Sequence, residues 1–379
     1  MLHYLIMKLS IIINSRWHYW FVAIFILALV LVSFIILPPH FWGDSDSYLK
    51  SIEALKTGNI PSDFAVFHRI ITTYAGLKII VFFSYIFDDV LKIWLFMNIA
   101  LYVIANLFFY RTLEEFFENR KVAFWGMILL ATNYAVITFG PTFLMDMGGW
   151  AFYFITLFFS FRFLKTGNMN YALTGALLAG FGGLFKEYGF LGFIPLISAL
   201  IFHFRNNIAA GIKRAIILTA IALLPISLLY GYMYISYGYS YLVLLAFVQN
   251  KYAASFETKW IPYLKVFGSL FTFGWFLFLG GIHTVIKQGK NMLDSGKQIF
   301  LVAILLSAIP PFVWPAVTQR VMFIAMPFFM IISCVFIKKY ESRPLYYIPF
   351  IILYVFANLA MDKYILPLVN ISELFKILF

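Results

Sequence analysis

The chain reads as an all-α, polytopic bundle of transmembrane helices, and three observations predict it. Of its 379 residues, 63% are hydrophobic and only 12% charged, with a mean hydropathy of +0.91; soluble domains carry about 25% charged residues. Apolar runs long enough to cross a hydrocarbon core recur along its whole length. The basic residues gather in the short segments between alternate runs, as cytoplasmic loops do.

The first run, Trp20–Leu37, contains no charge and approaches the roughly 20 residues that span a bilayer. Lys8 and Arg16 precede it, and Pro38–Pro39 with bulky aromatics follow in place of a small-residue cleavage site. It therefore reads as an uncleaved signal anchor. Further runs are Val90–Tyr110, Val122–Phe139, Trp150–Leu164, Tyr171–Phe185, Tyr188–Phe204 and Ala215–Tyr234. Val266–Ile286, Gln298–Val317, Val321–Ile337 and Pro344–Met361 complete the set. Each ends near Lys, Arg or an aromatic residue, and together they predict about eleven helices in a single membrane-embedded domain, residues 1–379.

With the N-terminus cytoplasmic, the inside segments hold Lys8, Arg16, Arg111, Arg120, Lys121, Arg162, Lys165, Arg205, Lys213 and Arg214. Lys287, Lys290, Lys297, Lys338, Lys339 and Arg343 join them, so 16 of the 28 basic residues lie in short inner loops. Eleven of the 16 acidic residues fall outside. Acids do not set topology, so their outward bias points to chemistry on the outer face. The two long segments, 38–89 and 235–265, are also outside. The expected location is a cell (inner, cytoplasmic) membrane, with the active site facing out.

Two helices are expected in the first outer loop. Tyr48, Ile52 and Leu55 form one stripe over Asp46–Lys56, and Gly58 and Pro61 end it. Phe67, Ile70, Ile71, Tyr74, Leu77 and Val81 mark a second amphipathic helix, Phe64–Phe87. Treating that helix as a span would invert every later loop, so it is placed on the membrane surface.

Other classes are excluded by what is missing. A lone cysteine, Cys334, offers no disulfide framework. The net charge of +12 comes without a basic cluster long enough to form a nucleic-acid groove, so it reads as inner-loop charge. There is no Gly-rich phosphate loop and no dinucleotide fingerprint.

In "FWGDSDSYLKSIEAL", Asp44 and Asp46 stand at the start of the first loop helix. A carboxylate there is favoured by unpaired N–H groups, so Asp46 is readable as a plain N-cap. Asp44 lies before the cap, next to Gly43, where close backbone approach is easy. It is the better candidate for a general base that takes a proton from an acceptor hydroxyl.

"GDSDSYLKSIEALKTGNIP" resembles the first external loop of the GT-C superfamily of integral-membrane glycosyltransferases. The shared pattern is an acid just after the first transmembrane helix, then acid–x–x–x–Tyr, then a short helix ending in Gly; here Asp44, Tyr48 and Gly58. "FHRIITTYAGL", with Arg69, resembles the Arg-containing stretch that follows. The resemblance implies transfer of a sugar from a polyprenyl-phosphate carrier to a lipid, glycan or protein acceptor on the non-cytoplasmic face. Many such enzymes have Glu or a pair of acids where this chain has Asp-Ser-Asp, which leaves the base open between Asp44 and Asp46.

Three later stretches extend the resemblance. "GPTFLMDMGGW" puts Asp146 in a short external turn, where the family often has an acid that binds acceptor or metal; capping of the next helix is the plain alternative. Asp44, Asp46 and Asp146 could hold Mg²⁺ or Mn²⁺ through oxygen ligands, although metal-free chemistry is equally allowed. No His/Cys/carboxylate cluster has metal-ligand spacing in the sequence.

In "GALLAGFGGLFKEYGFLGF", glycines allow close helix packing, and Lys186–Glu187 interrupts an apolar run. The resemblance places Lys186 near the lipid phosphate. "WPAVTQRVMFIAMPFF" puts Arg320 at an outer helix end, its planar fork suited to phosphate oxygens, with snorkelling from the helix end as the plain alternative. Trp42, Trp150, Trp260 and Trp314 are expected to be mostly interfacial anchors, with stacking of one or two on sugar as the alternative.

The preferred function is therefore an inverting-type glycosyltransferase with an aspartate base and polyprenyl-phosphate donor. The alternatives are a lipid-linked-sugar flippase or transporter, which would place ionisable groups near the bilayer midplane, or a surface-polysaccharide polymerase.

Overall fold

The computed structural model describes residues 13, 15, 17–60, 63–238, 243, 246, 260–313 and 318–361. Lys8, Arg16, Trp314, the side chain of Trp260 and most of the loop expected at 235–265 lie outside the described residues. Among the described residues every regular element is helical.

In chain order these are α1 (His18–Ile36), α2 (Ser45–Thr57), α3 (Phe64–Thr72), α4 (Tyr74–Ser84), α5 (Val90–Phe117) and α6 (Arg120–Ala131). Next come α7 (Tyr134–Phe139), α8 (Asp146–Thr166), α9 (Met169–Phe185), a 3-10 turn (Glu187–Gly192), α10 (Phe193–His203) and α11 (Ile208–Tyr237). The last group is α12 (Trp260–Phe271), α13 (Gly274–Met292), α14 (Ser295–Ser307), α15 (Ile309–Val313), α16 (Gln319–Met322), α17 (Met326–Lys339) and α18 (Ile348–Ala360).

Helix starts follow local sequence. Asp63, Asp89, Asn119, Asn133, Asn168, Asn207 and Asp294 each accept a backbone N–H from the first turn of the helix they precede. Gly58 and Gly167 end α2 and α8 in the left-handed region, at φ 77° and 69°, which only glycine adopts without strain.

Six described helices are long and apolar enough to cross a membrane, and eight if two bent pairs each count as one span. The sequence expectation of about eleven exceeds this because several apolar runs are broken. The run Val122–Phe139 divides between α6 and α7, where Thr132 bonds back to the Ile128 carbonyl (2.7 Å) and Asn133 caps the following turn. The Asn133 amide also donates to the Leu270 carbonyl at 2.7 Å, which fixes the break in the core. The run Val266–Ile286 bends by 90° near Thr272, whose φ is 36°. Met169–Phe185, Glu187–His203 and Ile348–Ala360 are apolar but shorter than a full span.

The first loop is helical, with one correction. Helix α2 covers the expected stretch, but Phe64–Phe87 is not one helix: α3 and α4 meet at 93°. At the break the Thr72 and Thr73 hydroxyls bond to the carbonyls of His68 (3.0 Å) and Arg69 (2.7 Å), back-bonding that favours a bend.

The main core packs α5, α6, α8 and α17 around Trp94, Tyr102, Phe109, Trp150 and Phe154, all buried. A smaller core of Ala172, Ala176, Ala179, Leu196, Leu218 and Ala222 joins α9, α10 and α11. Small residues here let helices approach closely. At 1.5 Å per residue α8 is about 30 Å long, so its two ends lie a bilayer apart. Its C-terminal end joins the basic loops, through Arg162–Glu115 at 3.1 Å and Lys165–Glu118 at 3.0 Å. Its N-terminal end carries Asp146.

Candidate active site

The chain puts its most unusual charge cluster at the N-terminal end of α8. A polar scaffold builds the loops there. Asn98 and Trp94, on the first turns of α5, donate to the Leu144 carbonyl at 2.7 and 3.2 Å, and Asn98 also bonds the Thr142 carbonyl. Ser45 donates to the Phe143 carbonyl at 2.7 Å and accepts from the Trp42 N–H at 2.8 Å. Thr142 donates to the His40 carbonyl at 2.8 Å. These bonds hold the Asp44 loop against the loop that precedes Asp146, although the two are distant in sequence.

Five charged side chains then meet. Asp44 Oδ1 accepts from Arg69 Nη2 at 2.6 Å, and its Oδ2 accepts from Arg320 Nη1 at 2.9 Å. Asp146 Oδ2 accepts from Arg320 Nη2 at 2.6 Å and Nε at 3.1 Å. Asp146 Oδ1 accepts from the Tyr188 hydroxyl at 2.6 Å. Tyr48, fully buried, takes donors from Lys186 at 3.3 Å and Arg69 at 3.5 Å, and the Arg69 guanidinium lies 4.9 Å from its ring. The Lys186 ammonium is 3.9 Å from Glu187, a peripheral contact.

Burial grades this cluster. Asp146 is fully buried and Lys186 nearly so, whereas the Asp44 side chain keeps 33% of its surface. Asp44 is thus the carboxylate within reach of an incoming molecule. Partial burial pushes its carboxyl up, but Arg69, Arg320 and Lys186 outweigh that and hold it below the ordinary carboxylate range.

Close backbone packing places Lys186. A methyl on Gly149 would lie 2.6 Å from Lys186 Cβ, and one on Gly189 would lie 2.5 Å from the Gly182 backbone. The helix end, the 3-10 turn and α8 approach each other only because these positions lack a Cβ.

Four sequence expectations change. Asp46 is not the N-cap of α2; Asp44 occupies that position, and neither side chain makes the capping bond. Asp46 is exposed, and its side chain has no hydrogen bond or ion pair among the described residues. It points away because it lies on the opposite face of α2 from buried Ser45 and Tyr48. Gly43 serves no close approach, since a methyl there would meet nothing within 4 Å. Trp150 is no interfacial anchor: it is fully buried, its ring 4.6 Å from that of Phe323. Trp42 is half-buried against Phe139.

The cluster does not fit the Mg²⁺ or Mn²⁺ site that the sequence left possible beside metal-free chemistry. Among the described residues no three His, Cys, Asp or Glu side chains come together to hold a metal ion. Asp44 and Asp146 converge, but on the guanidinium of Arg320 between them. Tyr188 is the member of the cluster that sequence reasoning missed. Its only signal was position, two residues after Lys186 in an interrupted apolar run.

A second charged cluster, at the other end of α5, lines a cavity of ≈ 520 Å³ with Glu114, Glu118, Asn119, Arg120, Lys121 and Glu341. Its charges answer one another, as in Arg120–Glu114 at 2.8 Å, and pin the helix ends.

An acidic first loop, a buried acid at the head of a long apolar helix and three cations from separate segments form one cluster. Residues 75–232 match the family model of the dolichyl-phosphate-mannose-protein mannosyltransferases. That is a GT-C type glycosyltransferase family. The GT-C resemblance read from the first loop is thus met by a match elsewhere in the chain. The matched segment, about two fifths of the chain, includes Asp146, Lys186 and Tyr188; Asp44, Arg69 and Arg320 lie outside it. A comparison with curated proteins finds no match. Apolar helices of spanning length mark a multi-pass membrane protein, and over residues 75–232 the chain is similar to a family of membrane glycosyltransferases.

Proposed function

We propose that the protein transfers a sugar from a polyprenyl-phosphate carrier to an acceptor hydroxyl on the non-cytoplasmic face, with inversion. The observation that carries this reading is the contact of Asp44 with Arg69 and Arg320, with Lys186 linked through Tyr48. One accessible carboxylate thus stands among three cations suited to a phosphate.

In the reaction, the acceptor oxygen attacks the anomeric carbon opposite the phosphate. Asp44 takes the acceptor proton as the new C–O bond forms. The bond between the sugar and the phosphate oxygen breaks, and its electron pair leaves with the carrier phosphate. Arg320 and Lys186 stabilise the charge that grows there. Arg69 sits between Asp44 and Tyr48 and can pass from carboxylate to phosphate as the donor enters. Asp46, exposed and outside the cluster, has no assigned step.

The test is turnover of purified protein with polyprenyl-phosphate sugars against nucleotide sugars. The expected result is activity with lipid-linked donors alone. Asp44→Asn should abolish transfer in a protein that still folds, while Asp46→Asn retains most activity. Arg320→Ala should lose roughly a hundredfold or more, and Arg320→Lys should be impaired because the fork is lost. Direct use of a nucleotide sugar, or an active Asp44→Asn variant, would overturn the assignment.

A further inference from the structure

We propose that Tyr188 is a positioning residue for Arg320, acting through Asp146, and that this relay fixes which edge of the guanidinium meets the donor phosphate. The inference rests on the reading of Arg320 given under Proposed function.

Asp146 is fully buried, and a buried carboxylate needs partners for both oxygens. One oxygen, Oδ2, accepts both Nε and Nη2 of Arg320, at 3.1 and 2.6 Å. The other, Oδ1, is satisfied by the Tyr188 hydroxyl at 2.6 Å. This division decides the orientation of the arginine. Because Oδ1 is occupied, the carboxylate does not turn to offer both oxygens to the guanidinium as a two-pronged pair. The Nε–Nη2 side of the fork is spent on Asp146, and Nη1 faces the accessible Asp44 at 2.9 Å.

The tyrosine is itself held from two sides. Its ring stands 5.9 Å from the Lys186 ammonium. It also packs on α8 over Gly149, where a methyl would approach the ring to 3.2 Å. Gly149 follows Asp146 by three residues, so carboxylate and ring support lie on one face of one helix. The relay therefore joins three separate segments: the 3-10 turn supplies the hydroxyl, α8 the carboxylate and α16 the guanidinium.

A double-mutant cycle on the full-length purified protein tests the relay, with binding of a polyprenyl phosphate in detergent as the readout. Tyr188→Phe should weaken binding about tenfold, as expected for one hydrogen bond to a charged group. Made in an Arg320→Ala background, the same change should cost nothing further, because the residue it orients is gone. The thermal midpoint of ligand-free Tyr188→Phe is measured alongside, and binding is compared at a temperature where both proteins are folded. An equal loss in both backgrounds, or wild-type binding by Tyr188→Phe, overturns the relay while leaving the donor assignment in place. Wild-type binding by Arg320→Ala overturns the donor-phosphate reading itself.

Discussion

Asp44 is held by the same cations that would receive a phosphate. Burial raises its carboxyl, and Arg69, Arg320 and Lys186 together lower it below the ordinary value. The sign of the pH effect follows. A group whose folded value is depressed is ionised above the unfolded value of about 3.9, and loses that state only as pH falls through the lower folded value. The acid limb of kcat/KM should therefore lie below the ordinary carboxylate range. In Arg69→Gln, where the foremost lowering charge is removed, the limb should move upward. A limb that stays where it was in the wild type would show that Asp44 is not the titrating base.

At the scale of elements, the site depends on breaks rather than on regular helices. The second loop helix breaks at Thr73, just after the turn that carries Arg69 to Asp44, and Lys186 ends α9 in extended backbone before the 3-10 turn. The turn packs on α9 through Gly189 and Gly182, where an added methyl would sit 2.5 Å from backbone atoms. Gly189→Ala should force these segments apart and destabilise the protein by about 1–3 kcal/mol, the range of overpacked cores. Because Lys186 rides on the same junction, activity should fall more than thermal stability does. Retention of both would show that the junction has slack. The apolar runs announced the helices, but not these breaks: Thr72, Thr73 and Thr132 bond back within their own helices, and only Asn133 is held by a carbonyl from another segment, Leu270.

At the scale of the molecule, two charged clusters occupy the two ends of α8, about 30 Å apart by helix rise. If the basic end is cytoplasmic, as the distribution of Lys and Arg predicts, the Asp44 cluster lies outside. Single cysteines in a Cys334→Ser background test it. An impermeant thiol reagent applied to intact cells should label Lys50→Cys but not Lys213→Cys, both exposed positions. The reverse pattern would turn the protein over and place the chemistry inside.

Composition and the length of the apolar runs determined that this chain is a helical membrane protein, because runs that long are covered by lipid, where the backbone must satisfy its own hydrogen bonds. Sequence also singled out Lys186, as an ionisable group interrupting an apolar run, and Arg320, for its phosphate-suited fork, while Asp146 came from the family resemblance and the base stayed open between Asp44 and Asp46. Their partnership was not legible: Arg320 has no acid near it in sequence, and Asp146 read equally well as a helix cap. Only the tertiary structure brought Arg320 between Asp44 and Asp146, separated the exposed Asp46 from them and added Tyr188. The physical reason is that pairing of buried charges is decided by which helix ends share a space, and that depends on long-range packing rather than on any local pattern.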